Sequence, residues 1–114
     1  MSFEFHLDTN GGVQHLTLTG RLDSATFITL EKTINGLFSS AGDRVLIDFS
    51  PLSYISSAGL RLILVAAKRA RQVGGRLILC GLSTSVRDVF EISGFLKIME
   101  TADSKADAER ALQA

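Results

Sequence analysis

The stretch RVLIDFSPLSYISSAGLRLIL, residues 44–64, decides how this chain is read. Val45 to Phe49 is a short, nearly continuous apolar run, as expected for a strand covered on both faces. Pro51, the only proline, ends it, and SPLS is turn chemistry. Two serines, Ser56 and Ser57, then precede the small pair Ala58 and Gly59, where an apolar helical pattern begins and runs to about Val73. A buried strand that feeds a helix through a polar, uncharged turn is one step of an α/β fold. The turn itself displays two hydroxyls at a helix start.

The same logic extends in both directions. FEFHLD alternates, with Phe3, Phe5 and Leu7 on one face and Glu4, His6 and Asp8 on the other. TNGG is a hairpin turn. VQHLTLTG is a second strand, with Leu16 and Leu18 inward and His15, Thr17 and Thr19 outward. From Asp23 or Ser24 a helix follows, carrying Phe27, Leu30, Ile34, Leu37 and Phe38 at helical spacing; Gly36 interrupts it and Gly42 supplies a stop. After the quoted stretch, GG ends the second helix and RLILCG is another buried strand. Ser83 or Thr84 caps a short helix bearing Val86, Val89 and Phe90, and GFLKIME allows a last short strand. Asp103 or Ser104 caps a terminal helix.

The order β-β-α-β-α-β-α-(β)-α predicts an α/β fold: one domain over residues 1–114, with a mixed sheet of four to five strands and about four helices. Leu16, Leu18, Val45, Ile47, Leu77 and Leu79 belong to its core. Asp23 follows the second strand, Asp48 ends the third, and residues 56–59 lie at the carboxyl rim, where open α/β sheets place their functional groups.

Composition narrows the function. The 12 Lys+Arg balance the 12 Asp+Glu, so there is no basic excess to clamp nucleic acid. A single cysteine forms no internal disulfide and leaves no other cysteine for a metal site. The N-terminus lacks a signal peptide's apolar stretch. The longest apolar run, Leu62 to Ala67, falls far short of a bilayer span. A cytoplasmic setting without membrane insertion is therefore expected.

Catalytic readings fare poorly. The hydrolase elbow G-x-S-x-G, placed on Ser57 and Gly59, requires glycine where Ile55 stands. The only histidines, His6 and His15, sit on the polar faces of the first hairpin and are read as solvated. SSAG lacks the lysine of a phosphate loop, and the glycines of QVGGRL leave a helix and so mark its stop. Asp23 and Asp48 could hold Mg²⁺ or pair for acid–base work, but as a cap and a loop acceptor they serve more ordinary purposes. Cys80 reads as inert core.

The segments GRLDSAT, VLIDFSPLSYISSAGLRLIL and RQVGGRLILCGLSTSVRDVFEISGFLKIM together resemble the STAS domain, and within it the stand-alone anti-sigma factor antagonists. The run from Asp48 to Leu60 carries the D-x-S-x-L-x-x-x-x-S-x-G-L spacing. The resemblance implies a regulator that is not an enzyme and holds no cofactor of its own. Its partners would be a GHKL-type serine kinase that doubles as the anti-sigma factor and uses ATP and Mg²⁺, and a PP2C-type phosphatase. The residue matching the family's phosphate acceptor is Ser57. Part of the family has aspartate just before it, where this chain has Ser56, an alternative acceptor.

Phosphate on Ser57 would sit at a helix N-terminus, where free N–H groups and the dipole favour an anion. On a helical wheel Arg61, Val65, Lys68 and Gln72 share Ser57's side. Together with Asp23, Asp48, Ser56 and Gly59 they form the expected partner face of a monomer. Two other readings stay open: a STAS subunit of a transporter or sensor complex, and a ligand-binding protein or enzyme using the Asp23/Asp48 rim.

Overall fold

The computed structural model describes residues 3–113. Its elements, in chain order, are β1 (Phe3–Asn10), β2 (Val13–Leu22), α1 (Phe27–Asn35), β3 (Arg44–Asp48), β4 (Leu52–Ile55), α2 (Ser57–Val73), β5 (Arg76–Cys80), α3 (Thr84–Ser93), β6 (Glu100–Ala102) and α4 (Lys105–Gln113). A single 3₁₀ turn, Phe95–Lys97, joins α3 to β6.

The sheet is mixed, in the order β1-β2-β3-β5-β6. Among the described strands the β1–β2 hairpin alone is antiparallel; β2–β3, β2–β4, β3–β5 and β5–β6 are parallel. The sheet has six strands because β2 is long enough to serve two neighbours. Gln14–Thr17 pair with β3, and Gly20–Leu22 pair with β4, with a register shift between Gly20 and Arg21. The segment 52–55, which reads as part of a turn after Pro51, is thus a short strand. Gly20 N–H donates to the Pro51 carbonyl at 3.1 Å, so the proline sits in the connection and costs the ladder nothing.

The larger core lies between one sheet face and α1, α2 and α3. Leu16, Leu18, Val45, Ile47, Leu77 and Leu79, the residues expected there, all belong to it, together with Leu30, Ile34, Leu60, Ile63 and Phe90. Phe49, just past β3, meets Phe90 of α3 edge-on, ring centroids 5.8 Å apart, a geometry that adds about 1 kcal/mol beyond the area buried. Leu37 and Phe38 are also buried, although α1 stops at Asn35 and not at Gly42.

The opposite face is covered by α4 alone, through Val13, Leu46, Ile78, Cys80, Ala108 and Leu112. This overturns the solvated reading of His15. The strand alternation points it correctly to the second face, but α4 lies over that face. His15 is only 4% exposed, and its Nδ1 is 3.6 Å from Glu109 Oε1. His6, on β1 beyond the reach of α4, is exposed as expected. The strand expected within GFLKIME falls one step later, at Glu100–Ala102, with the 3₁₀ turn before it.

Candidate functional site

The site is built where β2 and β4 end and α2 begins. Leu22 pairs with Ile55, the last residue of β4. The next residue, Ser56, donates its backbone N–H to the Leu22 carbonyl at 2.9 Å. Ser56 has extended backbone and is the N-cap of α2: its Oγ accepts the Gly59 N–H at 3.3 Å, and its carbonyl accepts the Leu60 N–H at 2.8 Å. One serine of the pair is therefore committed to the helix end. The other, Ser57, is the first helical residue and is exposed.

Gly59 is fully enclosed at this junction. A Cβ there would come within 2.8 Å of Leu22 Cγ and 3.0 Å of both Ile55 Cγ1 and the Leu22 carbonyl oxygen. Its absence lets α2 lie directly against the ends of β2 and β4, which sets where Ser57 stands.

Asp23 follows Leu22 and organises the adjoining loop. Its Oδ1 accepts from the N–H groups of Ala25 and Thr26, each at 3.0 Å, and from Thr26 Oγ1 at 3.1 Å. The Thr26 hydroxyl is held in turn by the Arg21 carbonyl at 2.8 Å. Partial desolvation pushes the carboxyl up, yet these hydrogen bonds and the Arg21 charge outweigh it and hold Asp23 below its ordinary range. The helix consequently starts at Phe27 with Thr26 as N-cap, three residues after the carboxylate.

Asp48 lies elsewhere. It pairs with Thr17 and Cys80 at the end of β3. Its Oδ1 accepts from Ser50 N at 3.0 Å and Ser50 Oγ at 2.8 Å, and a Cβ on Gly81 would approach it to 2.9 Å. The two aspartates thus hold separate loops at different levels of β2, and the structure does not bring them together as a carboxylate pair. Among the described residues no cluster of three or more His, Cys, Asp or Glu could hold a metal ion.

Along α2, Leu60, Leu62, Ile63, Ala66 and Ala70 are buried, whereas Ser57, Arg61, Val65, Lys68 and Gln72 are exposed. The wheel's partition of the helix is the one observed. That α1 extends this face is not visible in the sequence. Phe27 and Glu31 join Ala58, Arg61, Leu62 and Val65 around a groove of about 220 Å³. Helical periodicity assigns Phe27 to the core and cannot show that two neighbouring helices leave a channel between them. Arg21 and Tyr54 are cross-strand neighbours, and the Arg21 guanidinium lies over the Tyr54 ring, 4.1 Å from its centroid.

Known proteins match this chain over nearly its whole length. The STAS domain family matches residues 4–108. A putative anti-sigma factor antagonist, BtrV of Bordetella bronchiseptica, is 43% identical over 107 residues, covering 94% of this chain and 92% of that protein. The crystal structure of an anti-sigma factor antagonist from Mycobacterium paratuberculosis superposes with a TM-score of 0.85 at 19% identity, covering 99% of this chain and 96% of that one. The Bacillus cell fate determinant SpoIIAA in its phosphorylated form gives 0.71 at 25% identity, over 95% and 99%. Strand order, the serine-capped second helix and the family match together make this chain a member of the STAS domain family.

Proposed function

We propose that this protein is an anti-sigma factor antagonist that works by partner switching, with Ser57 as the phosphate acceptor. Unphosphorylated, it binds a GHKL-type serine kinase that is also the anti-sigma factor, through Ser57, Arg61, Val65 and Lys68 on α2, with the capping Ser56 beside them; Gly59, expected on this face, is buried and sets the position of the helix end instead. Phosphorylation by that kinase, with ATP and Mg²⁺, releases it, and a PP2C-type phosphatase returns it to the binding form. Asp23 and Asp48 shape the loops of the rim and take no part in bond making. Conversion takes place in the cytoplasm.

The observation that carries this reading is the division of labour between the two serines. Ser56 spends its hydroxyl on the helix cap, while Ser57 stands exposed at the start of a helix whose outward face is open. A phosphate there gains the helix N-terminus as a neighbour, so the fold tolerates it. The surface changes by nearly two negative charges, roughly −2 at neutral pH, beside an interface built for a neutral hydroxyl. The relatives named anti-sigma factor antagonists point the same way.

Affinity capture from the native cell tests the reading. Wild type and Ser57→Ala should retain a serine kinase, and Ser57→Asp should retain clearly less of it. Capture of a membrane permease in place of a kinase would favour the transporter-subunit reading.

A further inference from the structure

Among the described residues the outermost strand, β1, pairs with β2 on one side only. It is eight residues long, in continuous register, without proline or lysine. Edge strands are ordinarily blunted by such residues, by bulges or by being short. The opposite edge, β6, is blunted in the last way, at three residues.

The hairpin determines which backbone groups of β1 are free. Gly11 and Gly12, with φ of 61° and 78°, form a two-residue turn that needs left-handed backbone at both positions. Its flanking residues, Asn10 and Val13, are then a hydrogen-bonded pair, and bonded and open pairs alternate along the ladder from there. Even-numbered residues of β1 spend their N–H and C=O groups on β2. Phe3, Phe5, Leu7 and Thr9 direct theirs at the open edge.

The side chains along this edge complement themselves. In an antiparallel register with Phe5 opposite Phe5 of a second copy, Phe3 faces Leu7 and Glu4 faces His6, each twice by symmetry. Phe3 and Phe5 are only partly buried, Leu7 is 38% exposed, and Glu4 and His6 are exposed. Every Phe–Phe and Phe–Leu pair in this register falls on residues with outward backbone groups. The neighbouring registers are worse: one sets Glu4 against Glu4, the other Glu4 against Asp8 and His6 against His6. His6 Nε2 also lies 3.4 Å from Asp8 Oδ2 of its own strand, and Thr17 of β2 stands opposite it.

We propose that two copies of this chain associate through β1, antiparallel and centred on Phe5, to form one continuous sheet. The ladder is short, so the association is concentration-dependent, and the monomer expected from the sequence is the dilute form. No residue of β1 belongs to the α2 face, so each copy keeps its partner surface.

Sedimentation equilibrium of the full chain over a concentration series tests this. The weight-average mass should rise from 12.3 kDa toward twice that value. His6→Glu places like charges opposite one another at both symmetric pairs and should weaken association about tenfold. Adding Glu4→Lys to it should restore association, since position 4 faces position 6 in this register alone. Leu7→Lys, a charge on the apolar side of the edge, should abolish it. Circular dichroism of the dilute variants checks that each is folded. A mass fixed at 12.3 kDa up to the highest soluble concentration overturns the proposal. So does association indifferent to His6→Glu and Leu7→Lys, or one that the double variant fails to restore.

Discussion

The backbone N–H of Ser56 donates to the Leu22 carbonyl at 2.9 Å, tying the end of β2 to the first turn of α2. The same Leu22 roofs Gly59, whose missing side chain is what permits the approach. Gly59→Ala should therefore destabilise the protein by about 1–3 kcal/mol, the usual cost of overpacking a close-packed junction. The helix-propensity gain of alanine, roughly 1 kcal/mol, offsets only part of the clash. Urea unfolding measures it; a variant as stable as wild type would mean that α2 can shift without penalty.

Ser56 and Ser57 should separate cleanly in stability. Ser56→Ala removes the side-chain cap and should cost ~1 kcal/mol. Ser57→Ala changes an exposed residue of the first turn and should stay within about 0.5 kcal/mol of wild type. Equal losses in thermal unfolding of the two variants would contradict the assignment of the cap to Ser56.

Much of this was legible in the sequence because it depends on local periodicity. The apolar run Val45–Phe49 and the helical spacing from Leu60 onward identify β3 and α2, and six expected core residues are core. β4 was not legible: four residues after a proline, with only its two ends buried, show no alternation. It exists because β2 extends past β3 and offers an unpaired edge. The burial of His15 and the groove beside Phe27 have the same origin. Each depends on which helix lies over a strand or beside another helix, and a one-dimensional pattern does not contain that. α1 starts at Phe27, later than a cap at Asp23 or Ser24 predicts, because the Asp23 carboxylate closes a turn of its own before the helix begins.

Asp43 carries a pH dependence. Its Oδ2 accepts the N–H groups of Ser39 at 2.9 Å and Ser40 at 3.0 Å, and these bonds hold the carboxyl below its ordinary 3.8. Because the folded value is the lower one, the carboxylate stabilises the fold above pH 3.8, and that contribution fades as pH falls through the folded value. Asp43→Asn should be less stable than wild type at neutral pH, and the gap should close in acid. A gap that widens on acidification would contradict this.

Cys80 should be inert. Burial pushes its thiol up to about 12, and the Asp48 charge adds to the effect. Little thiolate forms near neutral pH in the folded chain. Iodoacetamide should leave the native protein unmodified and alkylate it fully once unfolded. Rapid labelling of the native state would show that α4 opens readily from the sheet.

The central claim is that Ser57 is the residue on which the switch is thrown. The direct measurement is phosphorylation by the cognate kinase in the presence of ATP and Mg²⁺, followed by mass mapping of the product. The account predicts one phosphate, located on Ser57 and absent from Ser57→Ala, with Ser56→Ala still labelled. Phosphate on Ser56 that persists in Ser57→Ala would move the acceptor by one residue and contradict the division of labour between the two serines. Absence of label on either serine would contradict the switch itself.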